Sequence, residues 1–473
     1  MAQELSVKLD KRLAEHDEYA DNHALALLST EVKYDNGKLR DLAHDPYVFG
    51  AALLASVGGF SFGYDQGVIS IILVMSQFRE QFPETSPAHA HYGFNVGLMT
   101  GMLELGAFIG FAGRFIGGIG VGTLAMGAPL YISEISPPTW RGAFLVLEAI
   151  SIVIGGIVSY WITYGARSIP SDWAFRLPFL LQMFPALVVG AGIHFFLFSP
   201  RWLAMRGRDD DSLDCLSKLR RRSPQDKKVQ LEWKGIVLEQ WIDLFWPKYL
   251  KRTLVALAIA FFQQFSGIIA FVYYAPTFFE ALGQSNNISL ILSGLINVCQ
   301  FVGGIPILMC LDRVGRRKLA IYGGIAMAIP HLAMARLMNR FSSYWAAHQG
   351  IGWFCVALVY LYVLSYSTSY GPLAWVIPTE VFPSSKRAKG VGAATGMIWL
   401  AKFIIGVVMP DMLIKLGWGT YLFFGLFCVS AAIFSFFFVP EKSNKSLEQM
   451  AAVFGDELMD EERRLQSRIA GEV

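Results

Sequence analysis

Long apolar runs alternate along the chain with short polar joints. Ten of the runs could each reach across a bilayer, which takes about 20 mainly apolar residues. They lie near 49–76, 94–133, 142–164, 174–198, 253–282, 288–311, 319–338, 351–379, 390–411 and 418–439. A helix at a water interface would carry a polar face within each run, and these mostly do not. The pattern predicts an all-α protein that crosses a membrane many times. Composition agrees: 54% of the 473 residues are hydrophobic and the mean hydropathy is +0.43. Richness in Gly and aromatic residues fits closely packed membrane helices.

Charge in the joints gives the orientation. The segment 199–252 holds thirteen Lys and Arg, and the short joints 312–318 and 386–389 are also basic. The joints near 77–93, 165–173, 283–287 and 339–350 each hold one Arg or none. The positive-inside rule puts the basic set in the cytoplasm, together with both termini. It also accounts for Arg220-Arg221-Arg222, so no nucleic-acid partner is expected. Segment 1–46 is polar, without an apolar core and cleavage site, and does not read as a signal peptide. Cys299, Cys310, Cys355 and Cys428 lie in or beside apolar runs and Cys215 in a charged stretch, which implies no disulfide framework.

One short pattern occurs twice. Glu134-Ile-Ser-Pro137 runs on to Arg141, and Glu380-Val-Phe-Pro383 runs on to Arg387, 246 residues later. Such a repeat suggests two structural halves, a common transporter architecture. The halves are unequal. From the first apolar run to Glu134 is about 85 residues, whereas the corresponding stretch from about 251 to Glu380 is 129. The shortfall of about 44 residues equals one joint and roughly two crossings. The basic turn Asp312-Arg-Val-Gly-Arg-Arg317 stands 68 residues before Glu380, and the same count back from Glu134 reaches Gln66, inside an apolar run. The gap is expected near Gly110-Phe111. Run 94–133 would be about 60 Å long as a straight helix, so one crossing with a bent or overhanging excess is expected, and a two-helix hairpin is its rival. The predicted domains are a cytoplasmic tail (1–46), a shortened first bundle (47–198), a cytoplasmic linker with helical segments (199–250), a second bundle (251–439) and a cytoplasmic tail (440–473).

Several motifs, in order, resemble the sugar porter family of the major facilitator superfamily, particularly its fungal members, over about residues 45–450. They are Gly63-Tyr-Asp65-Gln-Gly67, Gly113-Arg114-Phe-Ile-Gly-Gly-Ile-Gly120, Tyr131-Ile-Ser-Glu134 with Arg141-Gly142, Ser199-Pro200-Arg201-Trp202-Leu203 and Gln263-Gln264-Phe-Ser-Gly267. The second half adds the Asp312 turn, Gly371-Pro372 with Trp375, Pro378-Thr-Glu380 to Arg387, and Pro440-Glu441. The resemblance implies the major facilitator fold, two helical bundles with a substrate site between them. Here the first bundle is incomplete, with about ten crossings in place of twelve.

Candidate chemistry follows from these positions. Asp65 lies mid-run, where an ionised carboxylate costs about 2.5–3.5 kcal/mol on insertion scales. The resemblance makes it a protonation site faced by Arg114; a structural ion pair is the simpler alternative. It also places Gln263, Gln264, Tyr273 and Trp375 at sugar-contacting or gating positions, with Trp399 similar. Amides offer donors and acceptors to hydroxyls, and aromatic faces pack on a sugar ring. Without the resemblance each would be read as packing material. Departures matter: Ala149, Gly156, Ile269 and Ile398 stand where the family often carries Gln or Asn, which puts ordinary hexose recognition in question. Two charges appear instead. Lys402 could hold an anionic substrate or neutralise Glu148, but it lies near Pro410 and is expected to run to a membrane surface. Glu104 is a further intramembrane carboxylate, whose partner the sequence does not name. Glu134 with Arg141, Glu380 with Arg387, and Arg201, Asp312, Arg316 and Arg317 are expected to form cytoplasmic clamps. Phe198 replaces a clamp carboxylate of the family.

The implied function is secondary transport of a monosaccharide or polyol across the bilayer, with protons, by alternating access and in the plasma membrane. A nutrient sensor or a shortened variant that does not transport are the alternatives. No metal-ligand spacing, nucleophile elbow or phosphate loop points to an enzyme, and no cofactor is expected.

Overall fold

The computed structural model describes residues 46–109, 127–128, 131–132, 135–136, 141–226, 229–230, 233, 247–342, 345–382 and 387–439. The helices are α1 (Pro46–Ile72), α2 (Ser76–Gln81), α3 (Tyr92–Ile109), α4 (Arg141–Ala166), α5 (Trp173–Leu181), α6 (Met183–Gly192), α7 (Pro200–Met205) and α8 (Asp209–Arg220). They continue as α9 (Pro247–Phe265), α10 (Ile268–Ala281), α11 (Asn286–Val314), α12 (Arg316–Phe341), α13 (Gln349–Ser367), α14 (Tyr370–Val381), α15 (Arg387–Leu416) and α16 (Trp418–Phe438). Among the described residues nine segments are long and apolar enough to cross a membrane, and no strand occurs. They coincide with nine of the ten runs. The tenth, 94–133, is helical over Tyr92–Ile109 and beyond that is described only at 127–128 and 131–132, so the expected bend or overhang and the junction at Gly110-Phe111 lie outside the described residues.

Three of the runs are not single straight helices. Run 174–198 is divided at Gln182, between α5 and α6, and closes in a short 3-10 turn at Ile193–Phe195. Run 253–282 breaks at Ser266–Gly267, and run 351–379 at Thr368–Ser369. Hydropathy could not show this, because a break can stay apolar while its freed main-chain groups find partners inside the protein.

Close contact between helices comes from glycine. A Cβ on Gly63 of α1 would lie 1.8 Å from the Ile152 carbonyl oxygen of α4, and one on Gly67 would lie 2.1 Å from Ser159 Oγ. On the facing helix, a Cβ on Gly155 would lie 2.2 Å from the Phe60 carbonyl oxygen. The backbones therefore touch, which gives apolar helices dispersion contacts that lipid cannot match. The two halves meet along α3 with α15, α4 with α11 and α1 with α10. In the first of these seams Gly97 sits where a Cβ would come within 2.1 Å of the Val407 carbonyl oxygen. Tyr160 of α4 donates its hydroxyl to the Leu290 carbonyl of α11 at 2.6 Å, crossing the second seam.

The linker contributes α7 and α8. Ser199 caps α7, its Oγ accepting from the Trp202 amide at 3.3 Å. The apolar face of α8 packs Cys215 and Leu219 against Val48, Ala51, Ile132 and Ile135. The charged stretch around Cys215 thus hides a buried thiol. Burial pushes that thiol up to about 11, with Lys218 and Arg220 pulling the other way.

Replacing Gly63 by Ala is expected to force α1 from α4, at the roughly 1–3 kcal/mol typical of overpacking. The thermal midpoint of the purified protein should fall. Gly165→Ala, where a Cβ meets nothing within 4 Å, should leave it unchanged. Equal midpoints for the two variants would remove the close-contact account of this seam.

Candidate functional site

The motif Gln263-Gln264-Phe-Ser-Gly267 ends α9 at a break. Gly267 has φ +100, a left-handed conformation that Gly adopts without strain, and a Cβ there would also lie 2.9 Å from the Phe424 ring. The break takes carbonyls out of the helical ladder, and those of Gln263, Gln264 and Ser266 find donors. Ser266 Oγ donates to the Gln263 carbonyl at 2.7 Å. The Gly267 amide turns to the Gln264 carbonyl at 3.0 Å. His331 of α12 lies with Nε2 3.0 Å from the Ser266 carbonyl, and because a carbonyl only accepts, Nε2 carries the proton. Tyr362 of α13 is 3.2 Å from Ser266 Oγ.

The two glutamines connect this break to the other one. Gln263 Nε2 donates to the Gly371 carbonyl at 3.0 Å and the Tyr370 carbonyl at 3.3 Å, at the start of α14. Its Oε1 accepts from Gln264 Nε2 at 2.8 Å. Gln264 Oε1 then has no protein partner, nor does Gln66 Nε2 on α1. Buried polar atoms are rarely left so.

Both glutamines face a cavity of about 210 Å³ walled by both halves. The first half contributes Phe62 and Gln66 of α1 and Ala149 and Ile152 of α4. The second contributes Gln263 and Gln264, Ile268 and Ile269, Gln300, Tyr366, Trp375, Ile398 and Lys402. The volume is below the roughly 300–1,000 Å³ of drug-sized pockets and suits a small ligand. Of the residues expected to contact substrate, Gln263, Gln264 and Trp375 line it. Tyr273 and Trp399 are buried but not on its wall. Three of the apolar departures, Ala149, Ile269 and Ile398, are on the wall, whereas Gly156 faces Asn297 of α11. Sequence reading missed Gln66 and Gln300; an amide inside an apolar run was the available signal. Among the described residues no cluster of His, Cys, Asp or Glu is placed to hold a metal ion.

Lys402 does not run to a membrane surface. It is 6% exposed, and its Nζ stands 4.5 Å from the centre of the Phe62 ring and 4.9 Å from that of Trp399. Those two rings meet edge to face at 5.0 Å, so they form a cation–π seat. The correction has a simple cause. Lys402 lies on the inward side of α15, and its stem reaches the two rings and the cavity wall. Glu148 is packed on α1, where a Cβ on Gly59 would lie 3.2 Å from its Cγ. Asp65, 4% exposed, accepts from Gln182 Nε2 at 2.7 Å and lines a different cavity of about 1210 Å³, bordered by α1, α3, α5 and α6.

At the ends of the helices, one arrangement occurs in both halves. Arg220 of α8 donates to the Ile135 carbonyl at 2.8 Å, and Arg252 of α9 donates to the Val381 carbonyl at 2.8 Å. Each carbonyl belongs to the residue after a repeated Glu. Neither arginine stood out in the sequence, because a bond to a main-chain carbonyl leaves no side-chain pattern. Arg317 donates to the Phe436 carbonyl and lies over the Phe436 ring at 5.4 Å. Arg201 and Arg316 are partly buried at the starts of α7 and α12. Arg114 and Glu134 lie outside the described residues, as do the side chains of Glu104, Arg141, Asp312, Glu380 and Arg387.

Substituting Gln264→Leu is expected to weaken ligand binding about tenfold or more with a smaller fall in thermal midpoint than Gln263→Leu, because it removes a single bond, to Gln263 Oε1, while its own acceptor faces the cavity. Gln263→Leu should lower both, since two main-chain carbonyls and Gln264 lose a partner. Ligand-titrated tryptophan fluorescence and thermal unfolding of the two variants separate these effects.

A family model described as "Sugar (and other) transporter" matches residues 51–112 and 111–454. The two matched stretches meet at 111–112, beside the Gly110-Phe111 position at which the repeat spacing leads one to expect a gap. The high-affinity glucose transporter of Kluyveromyces lactis is 26% identical over 498 aligned residues, covering 91% of this chain and 89% of that protein. A probable quinate permease of Aspergillus flavus is 28% identical, covering 85% of this chain and 87% of its own. Among solved structures, the proton:xylose symporter XylE, bound to 6-bromo-6-deoxy-D-glucose, superposes with a TM-score of 0.67 at 26% identity, over 86% of this chain and 99% of that one. With motifs, helices and a two-half cavity in agreement, the chain belongs to the sugar transporter family of the major facilitator superfamily.

Proposed function

We propose that the chain carries a monosaccharide or polyol across a membrane together with a proton, by alternating access. The observation that carries this reading is the cavity itself. Its wall is divided between the two halves, so rocking one against the other opens it to one side at a time. The amides of Gln66, Gln263, Gln264 and Gln300 can bond hydroxyls, and Trp375 can pack on a ring face. The printed names of the relatives, a glucose transporter, a quinate permease and a proton:xylose symporter, support a small polyhydroxylated cargo and proton coupling.

In this reading Asp65 takes up the proton. Its burial and its bond from Gln182 support a carboxylate whose charge the helices respond to, with Arg114 as its partner. The repeated Glu134/Arg141 and Glu380/Arg387 pairs, with Arg201, Asp312, Arg316 and Arg317, clamp the cytoplasmic side. The domains are tail 1–46, bundle 47–198, linker 199–250, bundle 251–439 and tail 440–473, with both tails cytoplasmic and the protein in the plasma membrane.

The first bundle is short by about 44 residues near Gly110-Phe111. Two observations support this: the family model matches in two pieces that meet at 111–112, and an alignment of 498 residues takes in only 91% of this 473-residue chain. Sequencing the transcript across the junction tests it; a message encoding the extra residues would mean that this is not the native form.

Uptake of labelled hexoses, pentoses and polyols in a transporter-deficient yeast, with external pH recorded, tests the function. Uptake with alkalinisation is expected, and Asp65→Asn should abolish the pH change and cut accumulation by about tenfold or more. Accumulation that survives in Asp65→Asn at every pH would end the coupling role of this carboxylate. A version with the junction restored, run alongside, separates a tolerated gap from a disabling one.

A further inference from the structure

The seam between α4 and α11 joins the two halves, and a row of polar bonds crosses it at one end. Tyr160, Tyr164 and Arg167 are spaced four and three residues apart, so they share one face of α4. All three donate to the first turns of α11. Tyr160 bonds the Leu290 carbonyl at 2.6 Å, Tyr164 bonds Asn287 Oδ1 at 3.2 Å, and Arg167 bonds the same oxygen at 2.7 Å. Gly294 makes room for this approach, since a Cβ there would lie 2.7 Å from the Tyr160 ring.

The donors are set in place by their own half. The Arg167 guanidinium lies over the Tyr164 ring, 4.1 Å from its centre. Gln77 Nε2 donates to the Arg167 and Ile169 carbonyls at 3.1 Å, which fixes the end of α4. The joints beside these helix ends, 165–173 and 283–287, each hold one Arg or none, so the positive-inside rule puts this end of the seam outside. The seam of α3 with α15 closes at the same face. A Cβ on Gly93, at the start of α3, would lie 1.9 Å from Asp411 Oδ1 of α15.

Tyr160 is 1% exposed, whereas Asn287 is exposed. The bonds thus run from a dry contact to an edge where water can take over each partner as it parts. Exchange with water leaves such a bond a modest net worth, enough to bias a closed face without sealing it.

We propose that this row is a latch on the outer face, and that its release sets the rate at which the cavity opens outward. The proposal rests on the transport reading above and names the residues that time one of its steps. None of the four side chains lines the cavity; they act by holding the halves together. A second tyrosine supplies the comparison. Tyr360 of α13 donates to the Leu292 carbonyl of α11, also at 2.6 Å, but both of those helices belong to the second half.

The test places a thiol on the cavity wall by Ala149→Cys, in the full-length chain with its five cysteines replaced by alanine. A small membrane-impermeant thiosulfonate is applied to intact cells and the labelling rate is recorded, with no cargo needed. Tyr160→Phe and Asn287→Leu are each expected to speed labelling about fivefold, the worth of roughly one such bond. Asn287→Asp, which keeps the acceptor, should label no faster than the parent. Tyr360→Phe should lower the thermal midpoint as Tyr160→Phe does, yet leave labelling unchanged. Equal rates in the parent, Tyr160→Phe and Asn287→Leu would overturn the latch and leave the transport reading standing. So would acceleration by Tyr360→Phe, or faster labelling from the cytoplasmic face alone in inside-out vesicles. A thiol that reacts from neither face in any variant would overturn both readings.

Discussion

A main-chain carbonyl inside a bilayer has no water to accept from, so every helix break there must supply its own donors. Two breaks, at Ser266–Gly267 and Thr368–Ser369, depend on this rule. At the first, Ser266 Oγ serves the Gln263 carbonyl and His331 the Ser266 carbonyl. At the second, the Thr368 and Ser369 hydroxyls turn back to the carbonyls of Leu364 and Ser365. Gln263 ties the two breaks together through Tyr370 and Gly371. The cavity wall is built on that tie, because Gln264 and Trp375 hang from the two pieces it joins.

Packing between helices follows from the same solvent. Lipid tails compete well with apolar side chains, so association depends on close backbone contact and a few polar bonds. The seam of α1 with α4 is of this kind within one half, where Gly63, Gly67 and Gly155 leave no room for a Cβ. The seam of α3 with α15 is of this kind between halves, through Gly97 and Val407. Smooth glycine seams between halves suit relative motion, since they interlock little. The bond from Tyr160 to Leu290 has to break or follow as the halves rock.

Charge is spent sparingly inside the helices and anchored where it occurs. Lys402 rests on two rings and Asp65 on an amide. At the helix ends, Arg220 and Arg252 meet main-chain carbonyls beside the two copies of one motif. That parallel gives the repeat a physical meaning: in both halves an arginine, from the linker helix α8 in the first and from α9 in the second, holds the chain just past the Glu. In the first half it also fastens α8, and with it the linker, to the bundle.

Run length and apolarity alone dictated the helices, because a bilayer permits little else, and nine runs reappear as spans. Spacing also revealed the repeat, since sequence distance survives folding, and on it rests the proposal that the first half is short. The breaks inside 253–282 and 351–379 were invisible, as their compensating donors come from remote residues such as His331. The site was half legible. Gln263, Gln264 and Trp375 line the cavity, but Gln66 and Gln300 were passed over, and Tyr273 and Trp399 lie behind the wall. Lys402 marks the limit most clearly. Nearness to Pro410 along the chain suggested a surface lysine, yet the side of α15 it occupies, and the rings that meet it there, are decided only when helices from both halves pack together.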